Sequence, residues 1–444
     1  MTRVVLFTGK GGVGKTTTAA AGAVRAARSG VRTLVMSTDA AHSLGDALGC
    51  DLGAGPHPLG PPIEVEPGLH ALQVSAPHTV DRSWRVVQDY LLQVLATLGV
   101  DPVVAEELTS LPGAEEIAAL LELRTQVGSG QWDLVVVDCA PTAETLRLLA
   151  LPEALAWHLE RLLPAHRRLL RTLRPAAATA AGVPLPSAQV AGTVAGWHEA
   201  MRAVQAVLTG PGTSVRLVLT PERVVIAEAR RTWTSLSLYG FVVDGVIVNR
   251  VIPTAGPGRG DPWRRSWNVA QQAGLAEVTE SFAGMPIVRV PYLGQEPIGP
   301  DALAALADEA QVGVDAAGVA AGDGPRPATD PFGLLAAAPH GGLRVRRVGT
   351  AYQLSLPLPL VAADSVDLKR RDTELLIAVG DHRRVLSLPA ALQRCVVRRA
   401  TVRDGTLTVT FDPDPALWPA GLDQPEGSER SGDATQEEGR RRGA

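Results

Sequence analysis

From residue 1 to about 315, short runs of consecutive apolar residues alternate with longer segments of helical period. Six of these runs predict β-strands, at residues 3–8, 33–37, 134–137, 215–220, 242–249 and 287–291. Runs that are apolar at nearly every position are typical of parallel strands that helices cover on both faces. The pattern therefore predicts an α/β fold with a mostly parallel sheet over residues 1–315.

Two segments between these strands, residues 77–129 and 150–210, are rich in helix-forming residues and are longer than a simple crossover requires. Within them, residues 84–98 and 151–173 carry leucines at helical spacing, and arginines lie between the leucines of the second stretch. We expect the two insertions to form a helical subdomain beside the sheet.

The pattern changes after residue 315. Residues 316–333 are dominated by Gly, Ala and Pro, which predicts a linker. Residues 334–413 then show seven short strand patterns separated by turns, at 343–348, 351–358, 365–371, 373–379, 382–388, 395–403 and 406–411. That spacing predicts an all-β sandwich. Residues 414–444 are polar and charged, and they are expected to be a disordered tail.

Composition narrows the classes of function. The 444 residues are 45% hydrophobic and 20% charged, with a net charge of −4, so we expect neither nucleic acid nor an anionic membrane as a standing partner. The sequence shows no signal peptide pattern and no apolar run near the ~20 residues that span a bilayer. Its cysteines, Cys50, Cys139 and Cys395, are isolated from one another. These features predict a cytoplasmic location without a disulfide framework or a thiolate zinc site.

Lysine is almost absent from the chain and is concentrated at one place. Of the 42 Lys and Arg residues only three are lysine, and Lys10 and Lys15 lie in a glycine-rich stretch that matches G-x-x-x-x-G-K-[ST]. Because the stretch follows a predicted strand and precedes an alanine-rich helical segment, it predicts a phosphate-binding P-loop. The candidate nucleotide-binding residues are Gly9, Lys10, Gly11, Gly12, Val13, Gly14, Lys15, Thr16 and Thr17.

The motif assigns chemistry to individual side chains. Lys15 is predicted to reach the β- and γ-phosphates, while the Thr16 hydroxyl ligates Mg²⁺. Asp138 ends an apolar strand in the Walker B pattern and is predicted to hold Mg²⁺, partly through water. Asp39 follows the second strand, where open α/β sheets bind ligands, and is a candidate for orienting the attacking water.

Four segments together resemble the family of arsenite-pump and tail-anchored-protein-targeting ATPases, a P-loop NTPase family. They are KGGVGKTT at residues 10–17, STDAAHSL at 37–44, DCAPT at 138–142 and TLRLL at 145–149. The resemblance covers about residues 1–315. It implies hydrolysis of ATP to ADP and phosphate with Mg²⁺, with Asp39 in the first nucleotide-sensing loop and residues 138–142 as the second.

The resemblance also implies a homodimer, because the extra lysine of this family, here Lys10, reaches across to the nucleotide of the partner subunit. Lys10 and Lys15 would then both neutralise charge on the transferred phosphoryl group. The family pattern further implies nucleotide contacts for Glu222 and Asn249, and an asparagine amide suits adenine because it can donate and accept at once. For Glu222, an exposed acid at a helix start is an equal alternative.

The C-terminal part is similar to the α-crystallin-like domain of small heat-shock proteins, on residues 380–389 (GDHRRVLSLP) and 404–409 (DGTLTV). The whole chain thus resembles the branch of the ATPase family that carries such a domain. It departs from relatives that bind zinc at the dimer interface through C-x-x-C pairs, because residues 250–284 contain no cysteine. No interfacial zinc is therefore expected.

Three functions remain open. The first is an ATPase that couples hydrolysis to the binding or delivery of a hydrophobic client, which is a small molecule or a protein, membrane proteins and membrane-associated partners included. The client would bind at the leucine-rich stretches when ATP closes the dimer. The pattern alone favours a different explanation of those stretches, as the core of the helical subdomain with a solvated basic face. The second is arsenite efflux, which three scattered cysteines disfavour. The third is a nucleotide-gated scaffold or chaperone with little hydrolysis.

Overall fold

The P-loop follows the carboxyl end of a central strand in a large, mostly parallel sheet. The computed structural model describes residues 2–38, 43–52, 61–74, 78–97, 100–102, 104, 114–140, 187–253, 262–312, 330, 332–336 and 342–417. Within these residues the chain divides into two compact units. The first consists essentially of residues 1–343, and the second contains most of the remaining residues.

A nine-stranded sheet forms the centre of the first unit, counted over the described residues. Its strands are β1 (Arg3–Thr8), β2 (Thr33–Ser37), β3 (Ile63–Glu66), β4 (Leu69–Gln73), β5 (Leu134–Asp138), β6 (Thr213–Leu219), β7 (Val243–Val251), β8 (Ile287–Pro291) and β9 (Gln311–Val312). They are ordered β3-β4-β2-β5-β1-β6-β7-β8-β9. Only the outer pairs β3–β4 and β8–β9 are antiparallel. The predicted α/β fold with a mostly parallel sheet is confirmed.

Helices accompany the strands of the first unit. They are α1 (Lys15–Arg28), α2 (Ser43–Leu48), α3 (His78–Thr97), α4 (Ala114–Gly128), α5 (Ala188–Leu208), α6 (Arg223–Leu238), α7 (Pro262–Ser281) and α8 (Pro300–Asp308). Every residue of β1, β2, β5 and β6 is buried. This burial explains why those strands are apolar at almost every position, whichever face a side chain points to.

The six strands predicted from the apolar runs are all present, with ends that differ by at most two residues. Strands β3, β4 and β9 are additional within the described residues. Strand β3 has no apolar run because it is exposed or half-buried and places two glutamates among its four residues, and β9 has only two residues. The hairpin between β3 and β4 turns at Gly68, whose φ of 84° suits glycine.

The described parts of the two insertions are helical. Helices α3, α4 and α5 contact one another, as the prediction of a helical subdomain requires. Residues 141–186, which include the leucine-rich stretch 151–173, lie outside the described residues. None of the described helices combines the length and the hydropathy needed to cross a bilayer.

A buried ion cluster lies toward the amino ends of β1, β6 and β7, whereas the P-loop follows the carboxyl end of β1. The Arg216 side chain, 1% exposed, donates to both carboxylate oxygens of Asp244 at 2.6 and 3.2 Å. Arg3 donates to the same carboxylate at 2.8 Å. Ser214 Oγ donates to Asp244 Oδ2 at 2.7 Å. The two guanidinium groups share one carboxylate, so most of its acceptor positions are used.

A short segment from the end of the predicted linker packs beside this cluster. Arg216 donates to the carbonyls of Phe332 and Gly333 at 2.6 and 2.8 Å. The Phe332 and Leu334 side chains are fully buried and join the hydrophobic core of the first unit. Asp330 accepts from the backbone N–H of Leu334 at 2.7 Å and so holds the turn. Residues 313–329 lie outside the described residues, and the limits 1–315, 316–333 and 334–413 stay predictions.

Over the described residues, seven antiparallel strands form the second unit. One sheet has the order β10-β11-β16-β15 and the other the order β12-β13-β14. The strands are β10 (Arg344–Val348), β11 (Ala351–Pro357), β12 (Val366–Arg371), β13 (Glu374–Val379), β14 (His382–Ser387), β15 (Cys395–Arg403) and β16 (Thr406–Pro413), and a short helix α9 (Ala390–Gln393) precedes β15. Alternate residues of β13 and β16 are buried, as expected for strands with one face on a core. The prediction of a C-terminal all-β region is confirmed.

The tail predicted from residue 414 begins with a turn. The Asp414 carboxylate accepts from the backbone N–H of Ala416 at 2.9 Å, and the N–H of Leu417 donates to the Asp414 carbonyl. Residues 418–444 lie outside the described residues.

Candidate nucleotide site

The P-loop joins the end of β1 to the start of α1. Gly12 and Gly14 have φ angles of 81° and 89°, in the left-handed region that glycine adopts without strain. A Cβ atom on Gly14 would also collide with the amide of Asn249. These two glycines therefore let the loop curl back and direct the first N–H groups of α1 toward a bound anion.

The two lysines of the loop occupy different environments. Lys15, the first residue of α1, is only 6% exposed, and its Nζ atom donates to the carbonyl of Lys10 at 3.5 Å. Lys10 lies in the turn and is half-buried. No hydrogen bond or ion pair connects its ammonium group to another residue of the described ranges. Lys15 thus faces the inside of its own loop, whereas Lys10 is available to a group outside it.

The hydroxyl of Thr16 lies against the acid at the end of β5. It donates to Asp138 Oδ2 at 2.8 Å and is 3.1 Å from the hydroxyl of Ser43. Ser37 Oγ also donates to Asp138 Oδ2, at 3.3 Å. Hydroxyl and carboxylate oxygens are hard ligands, and Mg²⁺ in nucleotide sites takes one or two of them together with phosphates and water. The predicted pair of Thr16 and Asp138 therefore fits Mg²⁺, and Ser43 adds an oxygen that the sequence did not single out.

Strand register brings these groups together. Asp138 pairs with Phe7 of β1 on one side and with Ser37 of β2 on the other. The carboxyl ends of three neighbouring strands thus meet beside the P-loop, which is where open α/β sheets bind their ligands. Asp39 follows β2 directly but lies outside the described residues, as does Thr142 of the second sensing loop.

A cleft of about 320 Å³ opens next to the P-loop. Gly14, Thr17 and Asn249 line one side, and the loop of residues 291–297 lines the other. Its size falls within the range of about 300–1,000 Å³ that is usual for small-molecule sites. The amide of Asn249 donates to the Val13 carbonyl at 2.9 Å, so it supports the P-loop as well as lining the cleft. No sequence motif marks the loop 291–297, which only the fold brings to this place.

Glu222 does not line that cleft. It precedes α6 as an exposed N-cap residue without a side-chain capping bond. It borders a second, wider cleft of about 690 Å³, together with Trp263 and Trp267. Its predicted nucleotide contact stays a prediction, since the structure groups it with this neighbouring surface.

The three cysteines are free thiols in the folded chain. Burial, together with the charge of Asp138, raises the pKa of the Cys139 thiol far above its ordinary value. Desolvation also raises the pKa of Cys50 and Cys395. A raised pKa lowers the fraction of thiolate, which is the form of cysteine that binds soft ions.

Comparisons with known proteins agree with the two-part architecture. Residues 2–311 match the family described as anion-transporting ATPase, and residues 349–411 match the HSP20-like domain found in ArsA. An uncharacterised protein of Streptomyces coelicolor is 40% identical over 94% of this chain and 100% of its own length. A putative arsenical pump-driving ATPase of Chlorobaculum tepidum is 33% identical over 92% of this chain and 96% of its own. An ATPase ASNA1 homolog of Trypanosoma cruzi is 29% identical and covers 66% of this chain and 87% of its own length.

Proposed function

Because the chain belongs to the ArsA family of anion-transporting ATPases and carries the HSP20-like domain of that family, we propose that it acts as a Mg²⁺-dependent homodimer whose ATP hydrolysis drives the binding of a hydrophobic client. The chain is an ATPase by family. Magnesium, the dimer and the client belong to the proposal.

One observation carries the catalytic part of the proposal: the 2.8 Å hydrogen bond from Thr16 to Asp138. It joins the first turn of the P-loop helix to the acid at the end of β5, and Lys15 is buried one residue away. This hydrogen bond places the phosphate-binding loop directly beside the acidic residue that would hold the metal. This pairing is what phosphoryl transfer with a divalent cation requires.

Each group of the site has a distinct role in the proposed hydrolysis. Backbone N–H groups of the loop and the start of α1 hold the phosphates, and the Lys15 ammonium neutralises charge that builds up on the transferred group. Thr16 and Asp138 would hold Mg²⁺, which when bound neutralises phosphate charge. Asp39 would orient the attacking water, and Asn249 keeps the Val13 end of the loop in place through its amide.

Asp39→Asn is expected to lower steady-state phosphate release at least a hundredfold while Mg-ATP affinity stays within a factor of about three, because the amide cannot accept a proton from water. Phosphate release and equilibrium ATP binding are measured on the same purified protein. The variant would also trap the ATP-bound state, so it should retain a soluble fusion carrying one apolar helix in the presence of ATP but not of ADP. A fusion whose helix carries two arginines on its apolar face is the matched control.

Normal hydrolysis by Asp39→Asn protein that still binds ATP would remove Asp39 from the assigned role. Equal retention of both fusions, or retention that does not depend on ATP, would contradict the client part of the proposal and leave the ATPase part intact.

The dimer rests on Lys10, whose ammonium group has no described partner within its own subunit. Lys10→Arg keeps the positive charge but replaces a compact ammonium by a broad planar group that fits poorly beside phosphate. We expect phosphate release to fall at least tenfold, with ATP binding by each subunit largely preserved. Sedimentation with ATP should show fewer dimers than the unaltered chain. Normal hydrolysis by Lys10→Arg protein would refute the dimer argument based on this loop.

Arsenite efflux is suggested by the names of several relatives, but the cysteines of this chain do not support it. Trivalent arsenic is bound by clustered thiolates. Here Cys139 is fully buried beside Asp138 and its pKa is raised, while Cys395 belongs to the second unit. A hydrophobic client is therefore preferred to an arsenite-activated pump.

A further inference from the structure

Arg250 has a backbone conformation that is unusual for its position. Its φ angle is 57°, in the left-handed region, although it lies inside strand β7 (Val243–Val251). The other non-glycine residues of the described chain with positive φ, Leu360, Asp372 and Asp404, all lie in turns, where such angles are ordinary. Arg250 therefore departs from the strand geometry of its neighbours.

A β-bulge accompanies this conformation. The register of β7 against β8 shifts between Val248 and Val251, the interval that contains Arg250. Bulges of this kind redirect a side chain and are frequent next to active sites. A left-handed arginine is also strained, and strain of this sort is retained mostly where function requires the resulting side-chain direction.

The redirected side chain lines the cleft beside the P-loop. Arg250 shares that cleft with Gly14, Thr17 and the directly preceding residue Asn249, and it also lines the wider cleft that Trp263 and Trp267 border. Its side chain is exposed, and no hydrogen bond or ion pair connects it to any other residue that the structure describes. The guanidinium group thus belongs to a residue that both clefts share, and it has no partner among the described residues.

Different residues of the site would contact the phosphates and the base of a nucleotide. Lys15 and the loop N–H groups serve the phosphates at the start of α1. The cleft is lined by Gly14 and Thr17 near that point and also by residues 291–297 and Leu306 of α8. A planar guanidinium can stack on a purine face and donate to its ring nitrogens, which a lysine ammonium cannot do.

We propose that Arg250 contacts the base of the bound nucleotide and contributes to the selection of a purine. The inference rests on the proposed nucleotide site and deepens it. The bulge and the left-handed backbone bring the guanidinium to the cleft, and Asn249 supports the P-loop one residue earlier in the same strand end.

Arg250→Gly tests this assignment. Glycine suits a φ angle of 57°, so the variant is expected to fold with an unchanged or slightly higher thermal midpoint. Its dissociation constant for Mg-ATP should rise about tenfold, the effect of losing one cation–π or stacking contact that the bound base would cover. Affinity for magnesium triphosphate, which has no base, should stay unchanged. Both affinities are measured by calorimetry on the full chain.

Two variants control the experiment. Arg250→Lys keeps the charge but not the plane and should lose most of the ATP affinity that Arg250→Gly loses. Arg223→Ala removes an exposed arginine that lines the neighbouring wider cleft but not this one, and it should leave ATP affinity unchanged.

An unchanged ATP affinity in Arg250→Gly protein would overturn the inference. So would an equal loss for ATP and triphosphate, because Arg250 would then act on the phosphates. An unaltered chain that binds neither ligand would count against the nucleotide site itself, which distinguishes failure of the proposed function from failure of this assignment.

Discussion

Replacing Lys15 by alanine is expected to lower phosphate release at least a thousandfold, which corresponds to about 4 kcal/mol of lost transition-state stabilisation. The Lys15 side chain is 6% exposed and lies inside the loop, so a charge there acts in a poorly solvated place. Lys10, the other lysine of the loop, lies in the turn rather than at the start of α1, so it does not take the place of Lys15. Single-turnover and steady-state phosphate release with saturating Mg-ATP measure the effect.

Lys369→Ala is the matched control, since it removes the chain's remaining lysine from an exposed pair with Asp367. It should hydrolyse ATP at the unaltered rate. A Lys15→Ala protein that keeps its circular dichroism spectrum and its rate within tenfold of the unaltered chain would contradict the role assigned to Lys15.

Local patterns predicted the elements that carry this site. The run at β1 and the glycine motif after it located Lys15 and Thr16, and the acid closing β5 located Asp138. The two strands are confirmed, because parallel strands buried on both faces are apolar at nearly every position. The roles of Lys15, Thr16 and Asp138 stay predictions. The structure then adds the 2.8 Å contact between Thr16 and Asp138, which the motifs implied but could not measure.

The second side of the cleft could not be predicted in this way. The loop of residues 291–297 has no composition that distinguishes it from other loops, and it reaches Asn249 only because β8 pairs with β7. The left-handed conformation of Arg250 is equally invisible in sequence, since arginine has no preference for it. Features that depend on register and on bulges require the assembled sheet.

The segment around Phe332 shows what composition alone does not predict. Its Gly- and Pro-rich surroundings predicted a linker, yet Phe332 and Leu334 are completely buried. They pack over Gly22 of α1, where a Cβ atom would come within 2.8 Å of Leu334. Composition describes only the average character of a segment. Whether part of the segment packs on the core depends on single side chains, here Phe332, Leu334 and Arg216. This contact places the segment on the same helix that begins with Lys15.

Arg216→Met is therefore expected to lower the free energy of unfolding by about 3–5 kcal/mol, although methionine keeps much of the apolar volume. The change leaves the buried carboxylate of Asp244 with Arg3 as its remaining cationic partner, and it removes the donors to the Phe332 and Gly333 carbonyls. Each unsatisfied buried group costs desolvation energy. Urea unfolding followed by tryptophan fluorescence measures the loss, which is a large part of the ~5–15 kcal/mol that stabilises a typical domain.

An exposed ion pair of similar length provides the comparison. Arg32 and Asp133 are 2.7 Å apart, but their side chains are 58% and 50% exposed, so water replaces the contact when it is lost. Arg32→Ala should leave the urea midpoint nearly unchanged. If Arg216→Met costs no more than Arg32→Ala, the buried cluster does not hold the Phe332 segment, and that segment is then attached to the first unit by its two apolar side chains alone. A cost near the expected value, with limited proteolysis newly cutting between residues 313 and 343, would identify Arg216 as the residue that joins the end of the linker to the ATPase core.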